Sequence, residues 1–193
     1  MKTYFQLLIC IVISVLANSC NDGIETQEIC FIGDSLVARW DLQESFPSNI
    51  VYNYGKSGAH IDLISDYKGK FSGKTVVVLI GTNDLSSMSN DQLADFCQRY
   101  ILAVKELGAA HTYILSVPPR NFKGDSPSLN DIIISFNSII RSKADDHPSF
   151  TYVDIHPALC RDGSINPEYS FDGLHLNIYG YQIVARLLTK SMN

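Results

Sequence analysis

The chain has 193 residues, of which 46% are hydrophobic and 18% charged, with a net charge of −5. That length suits one domain with a sizeable core. The acidic balance, with no basic cluster, argues against nucleic acid as a partner.

The first segment reads as an export signal rather than as part of the fold. Lys2 precedes an apolar run at residues 7–17 (LLICIVISVLA), followed by small and polar residues up to Cys20. The run is shorter than the roughly 20 residues a membrane span needs. The stretch LANSC at 16–20 resembles the lipobox of bacterial lipoproteins, with Ala17 where leucine is usual. That resemblance implies cleavage after residue 19 and acylation of Cys20, hence an exported protein held at the cell envelope by a lipid anchor. Each buried methylene of such an anchor is worth about 0.8 kcal/mol. Residues 20–27 then form a polar tether, and 28–193 the domain. Losing residues 1–19 removes one charge, Lys2, so the mature net charge is −6. Cys30, Cys97 and Cys160 remain, an odd set with no CxxC or Cys/His spacing, which reads as buried thiols rather than disulfides or a zinc site.

Short apolar runs rich in β-branched and aromatic residues recur at 28–32 (EICFI), 50–54 (IVYNY), 75–80 (TVVVLI), 112–117 (TYILSV) and 150–155 (FTYVDI). The third is apolar throughout, as a strand covered on both faces should be. Helical patterns lie between them. Residues 89–108 open with a capping-box spacing, Ser89 to Gln92, and close on Gly108. Leu93, Phe96, Tyr100, Ala103, Val104 and Leu107 form one face of that helix. Residues 129–144 and 178–192 show similar periodicity, and 59–67 a weaker, shorter one. Alternating strands and helices predict an α/β fold with a five-stranded parallel sheet in a three-layer α/β/α sandwich. Ligands of such sheets bind beyond the carboxyl ends of the strands.

The strand exits carry the chemistry. Gly33-Asp34-Ser35 follows the first strand, and there a Ser or Asp oxygen could cap a helix or a serine could be presented as a nucleophile. Gly55-Lys56-Ser57-Gly58 follows the second strand, Gly81-Thr82-Asn83-Asp84 the third, and Asp172-Gly173-Leu174-His175 precedes the last helix. Each alone is an ordinary turn or cap. Together, in order at one sheet edge, they supply what acyl transfer needs. A serine requires a base, the base an orienting carboxylate, and the oxyanion a set of N–H donors.

These four segments, GDSL at 33–36, SGAH at 57–60, GTND at 81–84 and DGLH at 172–175, resemble the blocks of the SGNH (also called GDSL) hydrolase family. The likeness runs from about residue 30 to 186. It implies a flavodoxin-like fold, Ser35 as nucleophile, Asp172 and His175 as its partners, and an oxyanion hole from Ser35, Gly58 and Asn83, with Gly55 as the alternative to Gly58. It implies no metal and no cofactor. Leu176 stands where many relatives have proline, and Asn177 reads as the cap of the last helix. Asp34 is expected to hydrogen-bond neighbouring loops.

Other residues compete for roles. Asp154 and His156, at alternate positions of the fifth strand's exit, could form an acid–base pair or bind a metal. His60 could touch substrate or serve the surface. Trp40 could rim the pocket or pack in the core. Arg120 reads as solvated loop charge, or as a contact to an acidic substrate.

The function expected is carboxylester hydrolysis, with small acyl groups on carbohydrate or other small esters favoured because no long apolar lid is apparent. A lysophospholipase- or thioesterase-like activity is the alternative. A glycan-binding lipoprotein without activity is the rival from another class, against which the intact Ser35, Asn83, Asp172 and His175 speak. A nucleotide binder is disfavoured, since no GxGxxG or GxxxxGK follows a strand.

Overall fold

The structure, a computed structural model, describes residues 27–193. The expected signal segment 1–19, the expected acylation site Cys20 and the expected tether up to residue 26 lie outside the described residues.

Five parallel strands form the sheet: β1 (Glu28–Gly33), β2 (Ile50–Gly55), β3 (Thr75–Leu79), β4 (His111–Leu115) and β5 (Phe150–Val153), in the order β2-β1-β3-β4-β5. This is the flavodoxin-like order, in which the strand order reverses between β1 and β3. The register sets Gly33 level with both Gly55 and Leu79, so the exits of β1, β2 and β3 lie side by side.

Alternation along the strands divides the core in two. Cys30, Ile32, Val76, Val78 and Ile80 face α3 (Asp62–Ser65), α4 (Thr82–Leu85), α5 (Asn90–Glu106) and α6 (Leu129–Asp145). Ile29, Phe31, Val77 and Leu79 face α1 (Ser35–Ala38), α2 (Leu42–Ser45) and α8 (Ile178–Met192). Phe31 packs edge-on to Trp40 and tilted against Phe46, with centroids 5.5 and 5.3 Å away. Burying each such side chain is worth about 1.5–3 kcal/mol.

The helix ends follow their sequence signals. At the start of α5 the Ser89 N–H donates to Gln92 Oε1 at 3.1 Å, and Gly108 follows its end at φ +71°. At α8, Asn177 Oδ1 accepts from the N–H groups of Tyr179 and Gly180 at 3.0 and 3.1 Å. Residues 156–175 hold more structure than their sequence pattern predicts. The helical turn α7 (His156–Leu159) leads into a small hairpin, β6 (Cys160–Arg161) and β7 (Ser164–Ile165), followed by a 3₁₀ turn over Pro167–Tyr169. The hairpin turns on Asp162 and Gly163, both at positive φ, the Asp-Gly pair that favours such turns. Its strands are too short to show alternation. Cys30 and Cys97 are buried thiols as expected, whereas Cys160, in the hairpin, is only partly covered.

Candidate active site

Gly33 explains why β1 ends where it does. A Cβ there would lie 2.2 Å from Leu79 O and 2.3 Å from Val37 Cγ2, so only glycine lets α1 fold directly over the sheet edge. The capping reading of the Gly-Asp-Ser exit holds, and the serine beside the cap stands next to a histidine. Asp34 caps α1, its Oδ1 accepting from the Leu36 N–H at 2.9 Å. Ser35, the next residue, is 5% exposed with its Oγ 3.1 Å from His175 Nε2. As the first residue of α1, it carries an N–H without an intrahelical acceptor.

The loop 170–177 holds the histidine. Asp172 Oδ1 accepts from the N–H groups of Leu174 and His175 at 3.0 and 2.8 Å, and its Oδ2 lies 2.7 Å from His175 Nδ1. Ser170 Oγ bonds the His175 carbonyl, and Asn121 N–H bonds the Gly173 carbonyl at 2.8 Å, tying this loop to the one after β4. A carboxylate only accepts, so Nδ1 carries the proton in the neutral ring. Nε2 is then the acceptor and the Ser35 hydroxyl the donor. Burial, the largest influence on Asp172, raises its pKa. The bonds from the His175 ring and from the His175 and Leu174 N–H groups outweigh it and bring the carboxyl down to about 2.

On the opposite flank, the exits of β2 and β3 are stitched together. Asn83 Nδ2 donates to Ala59 O at 2.9 Å, leaving its second hydrogen free of that bond. Asp84 Oδ1 accepts from Ile61 N–H at 3.4 Å and lies 3.2 Å from His60 Nδ1, while Lys56 N–H bonds Gly33 O at 2.9 Å. His60 thus braces this loop from a largely exposed position. Gly55 and Gly58 differ in kind. The Gly55 N–H is taken by Asn53 Oδ1 at 2.9 Å. Gly58 is exposed at φ +75°, and a Cβ there would meet nothing within 4 Å. Its glycine is therefore required by backbone conformation, not by crowding.

Arg120 corrects the sequence reading. It is not a solvated charge but 6% exposed, with Nε and Nη2 paired to Asp125 and Nη1 bonded to Thr82 O at 2.9 Å. Asn130 and Asn137, both on α6, clamp the backbone of Arg120 and Val117 through paired amide bonds. Arg120 thereby fixes the residue next to Asn83. Removing one partner from such a buried pair typically costs about 3–5 kcal/mol. Asp154 pairs with Arg141, and His175, not His156, is the histidine bonded to Ser35. Trp40 is both core and rim: 3% exposed, yet lining the cleft beside His175. Among the described residues, no group of three or more His, Cys, Asp or Glu side chains is placed to hold a metal ion.

Asp34 is fully buried and its Oδ2 has no hydrogen-bond partner. Burial chiefly, with the nearby Asp84 carboxylate adding, pushes its carboxyl up to about 7 against the Leu36 N–H and the Arg120 guanidinium. A raised carboxyl pKa means the folded state holds the proton more tightly. Its stabilising effect is full below about pH 4 and is lost as pH rises through 7. Relative to Asp34→Asn, the wild-type unfolding free energy is therefore expected to fall by up to about 4 kcal/mol between pH 4 and 8. Urea denaturation of both proteins across that range measures this. A pH-independent difference would contradict a proton held by Asp34.

Comparison with known proteins bears on the family and the fold. The sequence is 29% identical over 172 residues to the N-acylneuraminate cytidylyltransferase of Escherichia coli O18:K1:H7, covering 85% of this chain and 40% of that protein. The chain thus spans well under half the length of that relative. It is also 29% identical over 173 residues to human platelet-activating factor acetylhydrolase IB subunit alpha1, covering 83% of this chain and 73% of that one. The crystal structure of the lipase/acylhydrolase from Enterococcus faecalis shares the fold, with a TM-score of 0.68 at 19% identity over 86% of this chain and 95% of that one. The GDSL-like lipase/acylhydrolase family matches residues 31–183, a span that opens in β1 just ahead of Ser35 and closes in α8 beyond His175, and the chain belongs to that family.

Proposed function

We propose that the protein is a serine carboxylester hydrolase that removes small acyl groups, acetyl above all, from carbohydrate or other small alcohols. The observation that carries this reading is the continuous series Asp172 Oδ2–His175 Nδ1 at 2.7 Å and His175 Nε2–Ser35 Oγ at 3.1 Å, set at the sheet edge. Ser35 Oγ attacks the ester carbonyl carbon as His175 Nε2 takes its proton. The carbonyl electron pair moves onto oxygen, where the Ser35 and Gly58 N–H groups and the free hydrogen of the Asn83 amide receive it. Collapse breaks the bond to the alcohol oxygen, which leaves with the proton from His175. Water, deprotonated by the same nitrogen, then releases the acid and restores Ser35. These steps call on no metal or cofactor.

The preference for a small acyl group is supported by the loop around the oxyanion site, where Lys56, Ser57, Gly58 and His60 are exposed and offer no apolar trough. The name of the human relative, an acetylhydrolase subunit, agrees with it. The same reading keeps the protein in the cell envelope, lipid-anchored at Cys20, with the tether leading into the domain at Gln27.

Hydrolysis of p-nitrophenyl esters from acetate to decanoate by residues 21–193 tests the acyl preference. The highest kcat/KM is expected on acetate, falling with chain length. A maximum at decanoate would favour a lipid acyl hydrolase. No turnover of any ester by the folded protein would favour the glycan-binding alternative.

A further inference from the structure

A cleft of about 500 Å³ opens beside the candidate active site, between the α1–α2 connection and α8. His175 lines it, while Ser35, Gly58 and Asn83 do not. It therefore approaches the site from the histidine's side, away from the oxyanion donors. In ester cleavage, the group next to the base is the departing alcohol, because that nitrogen must hand it a proton. The floor is fixed before any ligand arrives. The Trp40 and Tyr181 rings stack 5.3 Å apart, Trp40 Nε1–H is bonded to Ser45 Oγ at 2.8 Å, and Tyr181 O–H to Leu36 O at 2.9 Å.

The two walls differ. Arg39, Asp41 and Glu44 come from the α1–α2 side, whereas Phe171 and Ile178 come from the loop 170–177 and α8, with Gln182 beyond them. Phe171 is 78% exposed and Ile178 52%, a large apolar surface to leave in water at the mouth of a cleft. We propose that this cleft is the alcohol subsite and that it takes a pyranose, with Phe171 as the platform under the ring's C–H face. Asp41, Glu44 and Gln182 meet the hydroxyl edge, accepting and donating hydrogen bonds as vicinal hydroxyls require. A hydrocarbon chain would cover the apolar wall but set its other side against two carboxylates and a guanidinium. A phosphate-bearing alcohol would meet two negative charges for one positive. A neutral polyol with one apolar face matches both walls. The alcohol role rests on the hydrolase reading above; the binding of a saccharide does not.

Trp40 is the only tryptophan and forms the floor, so its fluorescence reports occupancy without any turnover. Titration of the protein with xylotetraose, cellotetraose and chitotetraose is expected to give a saturable change with at least one of them. Phe171→Ala should weaken that binding by about tenfold or more. The variant should also lose at least about tenfold more kcat/KM on the acetylated form of that tetrasaccharide than on p-nitrophenyl acetate. Silence of Trp40 toward all three sugars, in a protein that still cleaves p-nitrophenyl acetate, would overturn the subsite and leave the hydrolase reading standing. A response to lysophosphatidylcholine alone would overturn the choice of a saccharide. Saccharide binding in a protein that cleaves no ester would overturn the alcohol role and the hydrolase reading, while the sugar site remained.

Discussion

Replacing either Ser35 or His175 by alanine is expected to lower kcat on p-nitrophenyl acetate by about 10⁶-fold, and the double variant is expected to lose no more than either single one. In the proposed reaction the two act as one unit. Ser35 Oγ gains nucleophilicity only while Nε2, 3.1 Å away, can take its proton. Once either partner is gone, the other has nothing to act on. Asp172→Asn should cost about 10⁴-fold with the fold intact. The carboxylate fixes the tautomer by accepting from Nδ1 at 2.7 Å. An amide can present its NH₂ to Nδ1, which moves the ring proton to Nε2 and removes the acceptor that Ser35 needs. Steady-state kinetics of the four variants beside the wild type decide it. Additive losses in the double variant, or an Asp172→Asn protein of wild-type rate, would contradict the unit.

Asn83→Ala is expected to lower kcat by about 10²–10³-fold with KM little changed. One hydrogen of its Nδ2 is committed to Ala59 O at 2.9 Å, which leaves the other available to the oxyanion proposed above. That donor matters most when negative charge has developed on the carbonyl oxygen, so its loss falls on the transition state and not on ground-state binding. The variant also unlinks the loop that carries Gly58. Its thermal midpoint should be recorded beside its kinetics, because a stable protein with a lowered kcat isolates the donor's effect. A loss confined to KM would make Asn83 a substrate-binding residue instead.

The sheet was legible because its strands are buried unequally. β3 lies at the centre with every residue after Thr75 buried, and it reads as an unbroken apolar run. β2 is an edge strand, and Ile50 and Tyr52 remain 44% and 40% exposed, so its run is shorter and mixed with polar residues. The helix faces were equally plain: the residues marked on α5 by three- and four-residue steps are those packed against the sheet, with Cys97 joining them. The strand order was not readable, yet it builds the site. β1 lies between β2 and β3, so the exits that carry Gly58 and Asn83 lie on either side of the exit that carries Ser35.

What escaped the sequence were contacts between distant segments. Arg120 on a Pro-rich loop looks like a solvent charge until Asp125 folds back on it and Thr82, 38 positions earlier in the chain, meets its guanidinium. Asn130 and Asn137 look like ordinary polar helix positions, yet they face the β4 exit and satisfy its backbone groups. The brace from His60 to Asp84 likewise joins two loops. The motif blocks located Ser35, Asp172 and His175, which the fold joins in one hydrogen-bonded series. The side chains that hold those blocks in place follow no local pattern, because each answers a backbone group or charge supplied by another part of the fold.

Whether Ser35 is a nucleophile activated by His175 is tested most simply by labelling with a fluorophosphonate, which reacts covalently with an activated serine, followed by peptide mapping of residues 21–193. One equivalent on Ser35 is expected, and it should be lost in His175→Ala although Ser35 is still present. No label on the folded wild-type protein, a label on another residue, or equal labelling with and without His175 would contradict that role.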